Sequence, residues 1–367
     1  MPADCFDNFD DIIDARSPAE YAADCIPGAV NIPALDNEQR RAIGILHKSD
    51  PFAARLRGAT MLAENIAVYL RAGFAEKPQH WRPLVYCQRG GQRSGAVVEV
   101  LRRIGWQAAQ LDGGYKTYRR IVINGIAECA AAARWIVVIG KTGVGKTELL
   151  SELAKQGEAV LDLEKLANHR GSVFGGMGGQ PSQRRFESLL YLAMKQLPNN
   201  HAVFVESEGR KIGGLHLPAP MLSAMRASAD AVLLSASVAS RAERIHRQYA
   251  GYAASEELFA EAVGKIATYA GKTRVQKWRK MHNENDISQL LADMLQNFYD
   301  IGYDKSLRAN YSAAKIISRF DTGEMTAEKA AKAIIGRFVH QQEADAPAAR
   351  ATTPEKSAPA KHQAKCH

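Results

Sequence analysis

Two successive α/β units, each built on a parallel sheet, are predicted by three observations. Short apolar strands alternate with helical stretches from DIID (11–14) to about residue 128, and the alternation restarts at RWIVVIG (134–140), the pattern of parallel α/β folds. Each run contains a glycine-rich turn between the end of a strand and the start of a helix. The 367 residues, 46% apolar and 24% charged, suffice for two cores of ordinary size.

DIID reads as a strand, followed by a loop and a helix start at SPAEYAA (17–23). PLVYC (83–87) is a strand entering a glycine-rich turn, SGAVVEVLRRI (94–104) an amphipathic helix, and 107–111 another short strand before DGGYKTYRR. In the second unit RWIVVIG is a buried strand, with a helix from about 146. Further strands are expected at 159–163, 202–206 and 231–236. Residues 255–310 read as mostly helical by periodicity. KIISRF (315–320) returns to the sheet and 326–340 is a final helix. The expected domains are therefore 1–128 and 129–341, the second with a helical extension. From Gln342 the chain is rich in Ala, Pro, Lys and Thr and reads as a disordered tail.

Composition excludes several classes. No run of about 18 apolar residues is present, so a membrane-spanning helix is not expected. The N-terminal MPADCFDNFDD is acidic and lacks an apolar core, unlike a secretory signal; a cytoplasmic location is expected. Cys5, Cys25, Cys87, Cys129 and Cys366 show no CxxC pair and no metal-ligand spacing, so they are read as thiols. The net charge of +9 favours a polyanionic partner, though many basic proteins bind none.

The first chemical signal is Tyr86-Cys87-Gln88-Arg89-Gly90-Gly91-Gln92-Arg93-Ser94-Gly95. Glycines let successive backbone N–H groups turn inward on one point and form an anion nest, and the following helix contributes its N-terminal partial charge. Arg93 adds a full charge, with Arg89 as a second candidate. A thiol there becomes a reactive thiolate; a buried spacer cysteine would need neither the glycines nor the arginines. Cys-x5-Arg-Ser is the spacing of cysteine phosphatases, while rhodanese sulfurtransferases use a similar, shorter loop. Upstream, Asp14-Ala15-Arg16-Ser17-Pro18-Ala19-Glu20-Tyr21 and Ile26-Pro27-Gly28-Ala29-Val30-Asn31-Ile32-Pro33 resemble the two rhodanese signatures, with Cys25 where that family often has His. The longer loop suits a tetrahedral, phosphate-sized anion.

The second signal is Gly140-Lys141-Thr142-Gly143-Val144-Gly145-Lys146-Thr147, a complete G-x4-G-K-[ST] between a strand and a helix. Its backbone amides wrap a diphosphate, Lys146 reaches the terminal phosphate and the Thr147 hydroxyl would reach a Mg²⁺. An acidic partner is expected at a neighbouring strand end, with Glu206 and Glu208 as candidates. Such a loop recognises a diphosphate and does not by itself imply hydrolysis of a nucleotide.

A rhodanese-like domain fused to a P-loop NTPase-like domain resembles the tRNA 2-selenouridine synthases. Local strings carry the likeness: Cys87 to Ser94, Gly113-Gly114-Tyr115-Lys116, Leu161-Asp162-Leu163-Glu164 and His169-Arg170-Gly171-Ser172. Gln180-Pro181-Ser182-Gln183 with Phe186-Glu187, Glu206-Ser207-Glu208 with Arg210, and Tyr299-Asp300 with Tyr303 follow. The resemblance implies a selenotransferase acting in two steps on the wobble 2-thiouridine of tRNAs for Lys, Glu and Gln. S-geranylation with geranyl diphosphate comes first, and selenium from selenophosphate then displaces the geranylthio group. The P-loop would hold the diphosphate, and the loop of Arg89, Gly90, Gly91, Arg93 and Ser94 the selenophosphate. Cys87 would accept selenium or assist its transfer. No tightly bound cofactor is implied, and selenophosphate synthetase is a further partner it suggests. His169 and Arg170 are candidate site residues, with helix capping or core packing as the plainer reading of His169. Glu187 reads equally well as a surface charge. The i, i+4 spacing of Tyr299 and Tyr303 favours packing over base stacking.

Residues 265–281 hold six basic residues, Lys265, Lys272, Arg274, Lys277, Arg279 and Lys280, and no acidic one, interleaved with Tyr269 and Trp278. On a helix Lys272, Arg279 and Lys280 share roughly one side while Val275 and Trp278 turn inward. That is a candidate tRNA surface, weighed against an ordinary solvated face. The competing enzyme reading is a rhodanese-fold sulfurtransferase or cysteine phosphatase with a regulatory nucleotide-binding P-loop domain, although no general-acid Asp is evident. A P-loop sensor with an anion-binding rhodanese-like domain is a third.

Overall fold

The structure, a computed structural model, describes residues 6, 8–170, 178–198, 202–227, 230–248, 255–312 and 314–345. Among them two compact units are distinguished. The first runs to Gly125 and includes Ser182–Ser188; the second holds Ile126–Pro181 and the residues from Leu189 onward.

In the first unit four strands, β1 (Asp11–Asp14), β2 (Val30–Asn31), β3 (Pro83–Tyr86) and β4 (Ala109–Gln110), form a parallel sheet in the order β2-β1-β3-β4. Helix α1 (Pro18–Ala23) starts at a capping box: the Ser17 backbone N–H donates to Glu20 and Pro18 occupies the first turn, which satisfies amides that a helix start leaves orphaned. Helices α2 (Asn37–Ser49) and α3 (Pro51–Ala72) start at Asp36 and Asp50, whose carboxylates cap their first turns. Helix α4 (Gln92–Ile104) ends at Gly105 in the left-handed conformation, and α5 (Gly114–Ala132) follows β4. Ile13, Val85, Val97, Val98 and Leu101 close the core between sheet and helices.

The second unit has a five-stranded parallel sheet ordered β11-β10-β5-β7-β6. Its strands are β5 (Arg134–Ile139), β6 (Ala159–Leu161), β7 (Ala202–Glu206), β10 (Asp230–Ser235) and β11 (Lys315–Asp321). An antiparallel ribbon, β8 (Lys211–Ile212) with β9 (Leu215–His216), leaves the sheet after β7. The apolar run of β5 is almost wholly buried, as expected of a central strand covered on both faces. Helices α6 (Lys146–Lys155) and α7 (Leu163–Ala167) follow β5 and β6, and α8 (Gln183–Lys195) and α9 (Ala219–Ala227) precede β7 and β10.

After β10 come α10 (Val238–Gln248), α11 (Glu256–Ala270), α12 (Lys272–Asn283) and α13 (Ile287–Met294). Leu295–Tyr299 then form one π-helical turn before α14 (Asp300–Tyr311). Val275 and Trp278 of α12 do turn inward, into a cluster with Phe259, Ile266 and Leu290. The last helix, α15 (Ala327–Asp345), continues past the expected end at 340 and takes in the first residues assigned to the tail. The expected disorder from residue 346 lies outside the described residues. No described helix is long and apolar enough to cross a membrane.

Candidate functional site

Cys87 follows directly on β3, and its sulfur is buried at the floor of the loop that opens α4. The Ser94 hydroxyl donates to its Sγ at 3.2 Å. Burial pushes the thiol up, but Ser94's hydroxyl and the backbone amides of Ser94, Arg89 and Gly91 outweigh it and hold the thiol below its ordinary value. The loop thus stabilises a thiolate by N–H and O–H donors rather than by full charges. Arg93 is committed elsewhere: its guanidinium pairs with Glu20 at 2.7 Å, the same carboxylate that caps α1. Arg89 is exposed.

The Gly-Gly pair after β4 is required by a close approach of two loops. Gly114 has φ +55, and a Cβ there would stand 2.2 Å from the Cys87 carbonyl oxygen and 2.5 Å from the Gly90 nitrogen. Gly90, at φ +62, meets the same turn from the other side, 2.6 Å from the Leu111 carbonyl oxygen. The two loops touch backbone to backbone, and Tyr115 N–H donates to Cys87 O at 2.9 Å.

Below this contact lies a buried polar network. Arg16 pairs with Asp14 at 2.6 Å and lies 3.9 Å from the centre of the Tyr115 ring; the Tyr86 hydroxyl donates to Asp14 at 2.7 Å. Tyr115 and Ser188 both donate to Asp24, at 2.8 and 2.9 Å. Glu187 forms an ion pair with Arg119 in the same unit, so it is not a free surface charge. Cys25 accepts from Arg185 at 3.3 Å, and burial raises its thiol.

In the second unit the phosphate loop stands at the carboxyl end of β5, between β10 and β7, where open α/β sheets bind ligands. Its shape is enforced from outside. Arg241 donates to Thr142 O at 3.2 Å, Arg244 to Gly143 O at 2.9 Å and Thr322 to Val144 O at 2.7 Å. Because a trans peptide directs N–H opposite to C=O, the amides of Gly143 and Gly145 face the other way, into the cradle. Arg241 is itself fixed by Asp300 through two hydrogen bonds of 2.8 Å. Lys146 Nζ donates to Gly140 O at 2.8 Å, and Gly140 N–H donates to the Tyr303 hydroxyl at 2.7 Å.

The expected acidic pair divides. Glu208 lines the cavity at the loop. Glu206 is buried and accepts the Glu164 N–H at 2.8 Å, so it braces the first turn of α7; burial raises both the Glu206 and Glu208 carboxyls. Glu164 also lines the cavity and accepts from Thr147 Oγ1 at 3.2 Å. Burial and the nearby Glu208 push it up to about 7. No group of three or more His, Cys, Asp or Glu among the described residues is arranged to hold a metal. A Mg²⁺ at Thr147 would therefore need oxygens from a bound diphosphate and water, the usual manner for that ion.

Arg170 lines the cavity, while His169 lies against the β8–β9 ribbon near Gly213 and Gln180; Gly171 and Ser172 fall outside the described residues. Arg210 is exposed at the start of the ribbon. Tyr303 does more than pack, since its hydroxyl meets the phosphate loop. On the basic stretch, Lys277 pairs with Asp293, Lys280 lies 3.8 Å from Glu284, and Lys265 pairs with Glu261.

The cavity at the loop has a volume of about 680 Å³. Besides Lys146 and Thr147, its lining includes the apolar residues Ile245, Leu291, Met294, Leu295, Phe298 and Ile301, together with the polar Arg170, Arg244, Gln248, Arg274 and Asn297. Phosphate-loop groups and hydrocarbon side chains thus line the same cavity.

Comparison with known proteins agrees with both halves. A family model described as a rhodanese-like domain matches residues 4–120, and one described as the tRNA 2-selenouridine synthase AAA domain matches 133–277. A tRNA 2-selenouridine synthase of Nitrosomonas europaea is 35% identical over 65% of this chain, which spans only 63% of that relative's length. Proteins of the same name from Cupriavidus pinatubonensis and Chromohalobacter salexigens are 37% and 31% identical. The alignments cover 70% of both chains in the first case, and 80% of this chain and 86% of the relative in the second. On this identity and coverage, with both domain models in the expected order, the chain belongs to the tRNA 2-selenouridine synthase family.

Proposed function

We propose that the chain converts 2-thiouridine at the tRNA wobble position to 2-selenouridine in two steps, S-geranylation by geranyl diphosphate and then replacement of geranylthiol by selenium from selenophosphate. The observation that carries the reading is a cavity lined by both the phosphate loop and hydrocarbon side chains. A phosphate loop alone is equally suited to a nucleotide. Hydrocarbon side chains lining the same cavity suit an isoprenoid diphosphate, whose ten-carbon chain gains about 25 cal/mol for each Å² of apolar surface it buries. The loop amides and Lys146 neutralise the diphosphate as it leaves.

Selenophosphate is a tetrahedral anion close in shape to phosphate, and the Cys87 loop offers converging N–H donors beside a stabilised thiolate. The tRNAs are those for Lys, Glu and Gln. The test is nucleoside mass spectrometry of 2-thiouridine tRNA incubated with both substrates. S-geranyl-2-thiouridine accumulates when selenophosphate is omitted, and 2-selenouridine forms when it is present. Lys146→Ala yields neither. Absence of the geranylated nucleoside from wild-type reactions, or its formation at the normal rate by Lys146→Ala, refutes the assignment of the P-loop.

A further inference from the structure

One aromatic ring of the cavity wall is tied to the phosphate loop. Tyr303 lies on α14, one turn past Phe298 and Tyr299 and beside Ile301, all in the cavity wall. Its hydroxyl accepts the Gly140 N–H at 2.7 Å and stands 3.4 Å from Ser207 Oγ. Its ring centre is 5.7 Å from Lys146 Nζ, within the range at which a ring face attracts a cation. The side chain therefore touches the phosphate loop at its tip and shares the lining of the cavity with Phe298, Tyr299 and Ile301.

If the cavity holds geranyl diphosphate, on which this inference rests, the position of the reacting carbon follows. C1 is one C–O bond from the phosphate, so it must lie beside the phosphate loop. During displacement the C1–O bond breaks, its electron pair passes to the diphosphate oxygen, and a sulfur lone pair of 2-thiouridine forms the C1–S bond. The N3 proton of the base leaves to water, so that the product base is neutral. In an allylic system bond breaking runs ahead of bond making, and positive charge develops over C1 and C3. A group that meets this charge only in the transition state raises turnover rather than affinity.

We propose that Tyr303 is a catalytic residue of the geranylation step: its ring face stabilises the allylic cation while its hydroxyl fixes the ring to the Gly140 amide.

The two parts of the side chain separate by substitution. Tyr303→Phe keeps the ring and removes the acceptor for Gly140; Tyr303→Leu removes both. With geranyl diphosphate and 2-thiouridine tRNA, Tyr303→Phe keeps turnover within about threefold and shows its defect in KM for the diphosphate. Tyr303→Leu loses roughly 30-fold in turnover, the equivalent of about 2 kcal/mol for a desolvated cation–ring contact, with a KM like that of Tyr303→Phe. A series of fluorinated phenylalanines at 303, nearly constant in size, lowers turnover stepwise as the ring loses its negative face. Melting curves establish that each variant is folded. Equal turnover of the Phe and Leu variants, or a flat fluorination series, overturns the proposal while leaving the geranylation reading intact. A wild-type enzyme that forms no S-geranyl product overturns that reading and this one with it.

Discussion

Replacing Gly114 with alanine tests how the cysteine loop is built. The new Cβ would stand 2.2 Å from the Cys87 carbonyl oxygen and 2.5 Å from the Gly90 nitrogen, whereas non-bonded neighbours settle at about 3.5 Å. Both obstacles are backbone, so one loop must move by more than about 1 Å. The left-handed backbone adds about 1–2 kcal/mol and overpacking about 1–3 kcal/mol. The expected loss is about 2–5 kcal/mol, a large part of the ~5–15 kcal/mol that stabilises a domain, and the melting temperature should fall by roughly 8–20 °C.

The chemical consequence is as specific. Displacing the Cys87 peptide misaligns the Arg89 and Gly91 amides that hold the thiol low. Iodoacetamide labelling of the Cys87 peptide, followed against pH by mass spectrometry, should reach half its maximal rate below the ordinary thiol value of about 8.5 in wild type, and close to it in the variant. Because the native thiol is depressed, its stabilising contribution is present above the unfolded-state value and is lost as pH falls through the native one. The gap in melting temperature should therefore be wider at pH 9 than at pH 6. Melting within 2 °C of wild type, with an unchanged labelling profile, would refute the backbone-contact argument.

Other outcomes follow from the same geometry. Cys87→Ser should melt normally and still yield S-geranyl-2-thiouridine, with no 2-selenouridine detectable by nucleoside mass spectrometry. Changing Lys272, Arg279 and Lys280 together to Ala should weaken tRNA binding and flatten the slope of log affinity against log salt by about 2 units, somewhat under one per lost phosphate contact, with geranyl diphosphate binding unaffected; an unchanged slope places the tRNA elsewhere. Glu164, pushed up to about 7 from a usual 4.5, contributes stability that is complete below pH 4.5 and is lost as pH rises through 7. Glu164→Gln should therefore be more stable than wild type by roughly 2–3 kcal/mol at pH 8 and equal to it at pH 4.5, measured by denaturant unfolding in metal-free buffer.

The longer strands and the two glycine-rich turns were legible because their signals are contiguous: β3, Cys87 and α4 lie within one short stretch, as do β5, the phosphate loop and α6, whereas β2, β8 and β9, two residues each, carry no such signal and were missed. Helices α2 and α3 escaped the sequence reading, and in α3 the apolar residues do not mark one face. Phe52, Leu56 and Val68 are exposed, and the elements are set instead by caps at Asp36 and Asp50. Glu206 and Glu208 could not be told apart by residue type. Glu206 is the last residue of β7 and is buried beside β6, whereas Glu208 lies past the strand end and faces the cavity. Tyr303 and Asp300 meet the loop across 163 and 159 residues, a distance over which no local pattern speaks. The basic stretch contains no acid, but Asp293 and Glu284 reach it from neighbouring segments.

The π-helical turn at Leu295–Tyr299 has a consequence for how this cavity tolerates change in length. Such a turn holds one residue more than an α-helix would, and each residue of an α-helix advances the chain by about 100° and 1.5 Å. Deleting any one of these five positions would let α13 and α14 fuse into a regular helix. Everything beyond would then be rotated by more than a quarter-turn. Asp300 would swing away from Arg241, and Tyr303 from Gly140, although neither had been altered. Here a single inserted residue acts as a phase adjuster: it dials one helix so that the first half shows hydrocarbon to the cavity and the second half shows a carboxylate and a phenol to the phosphate loop.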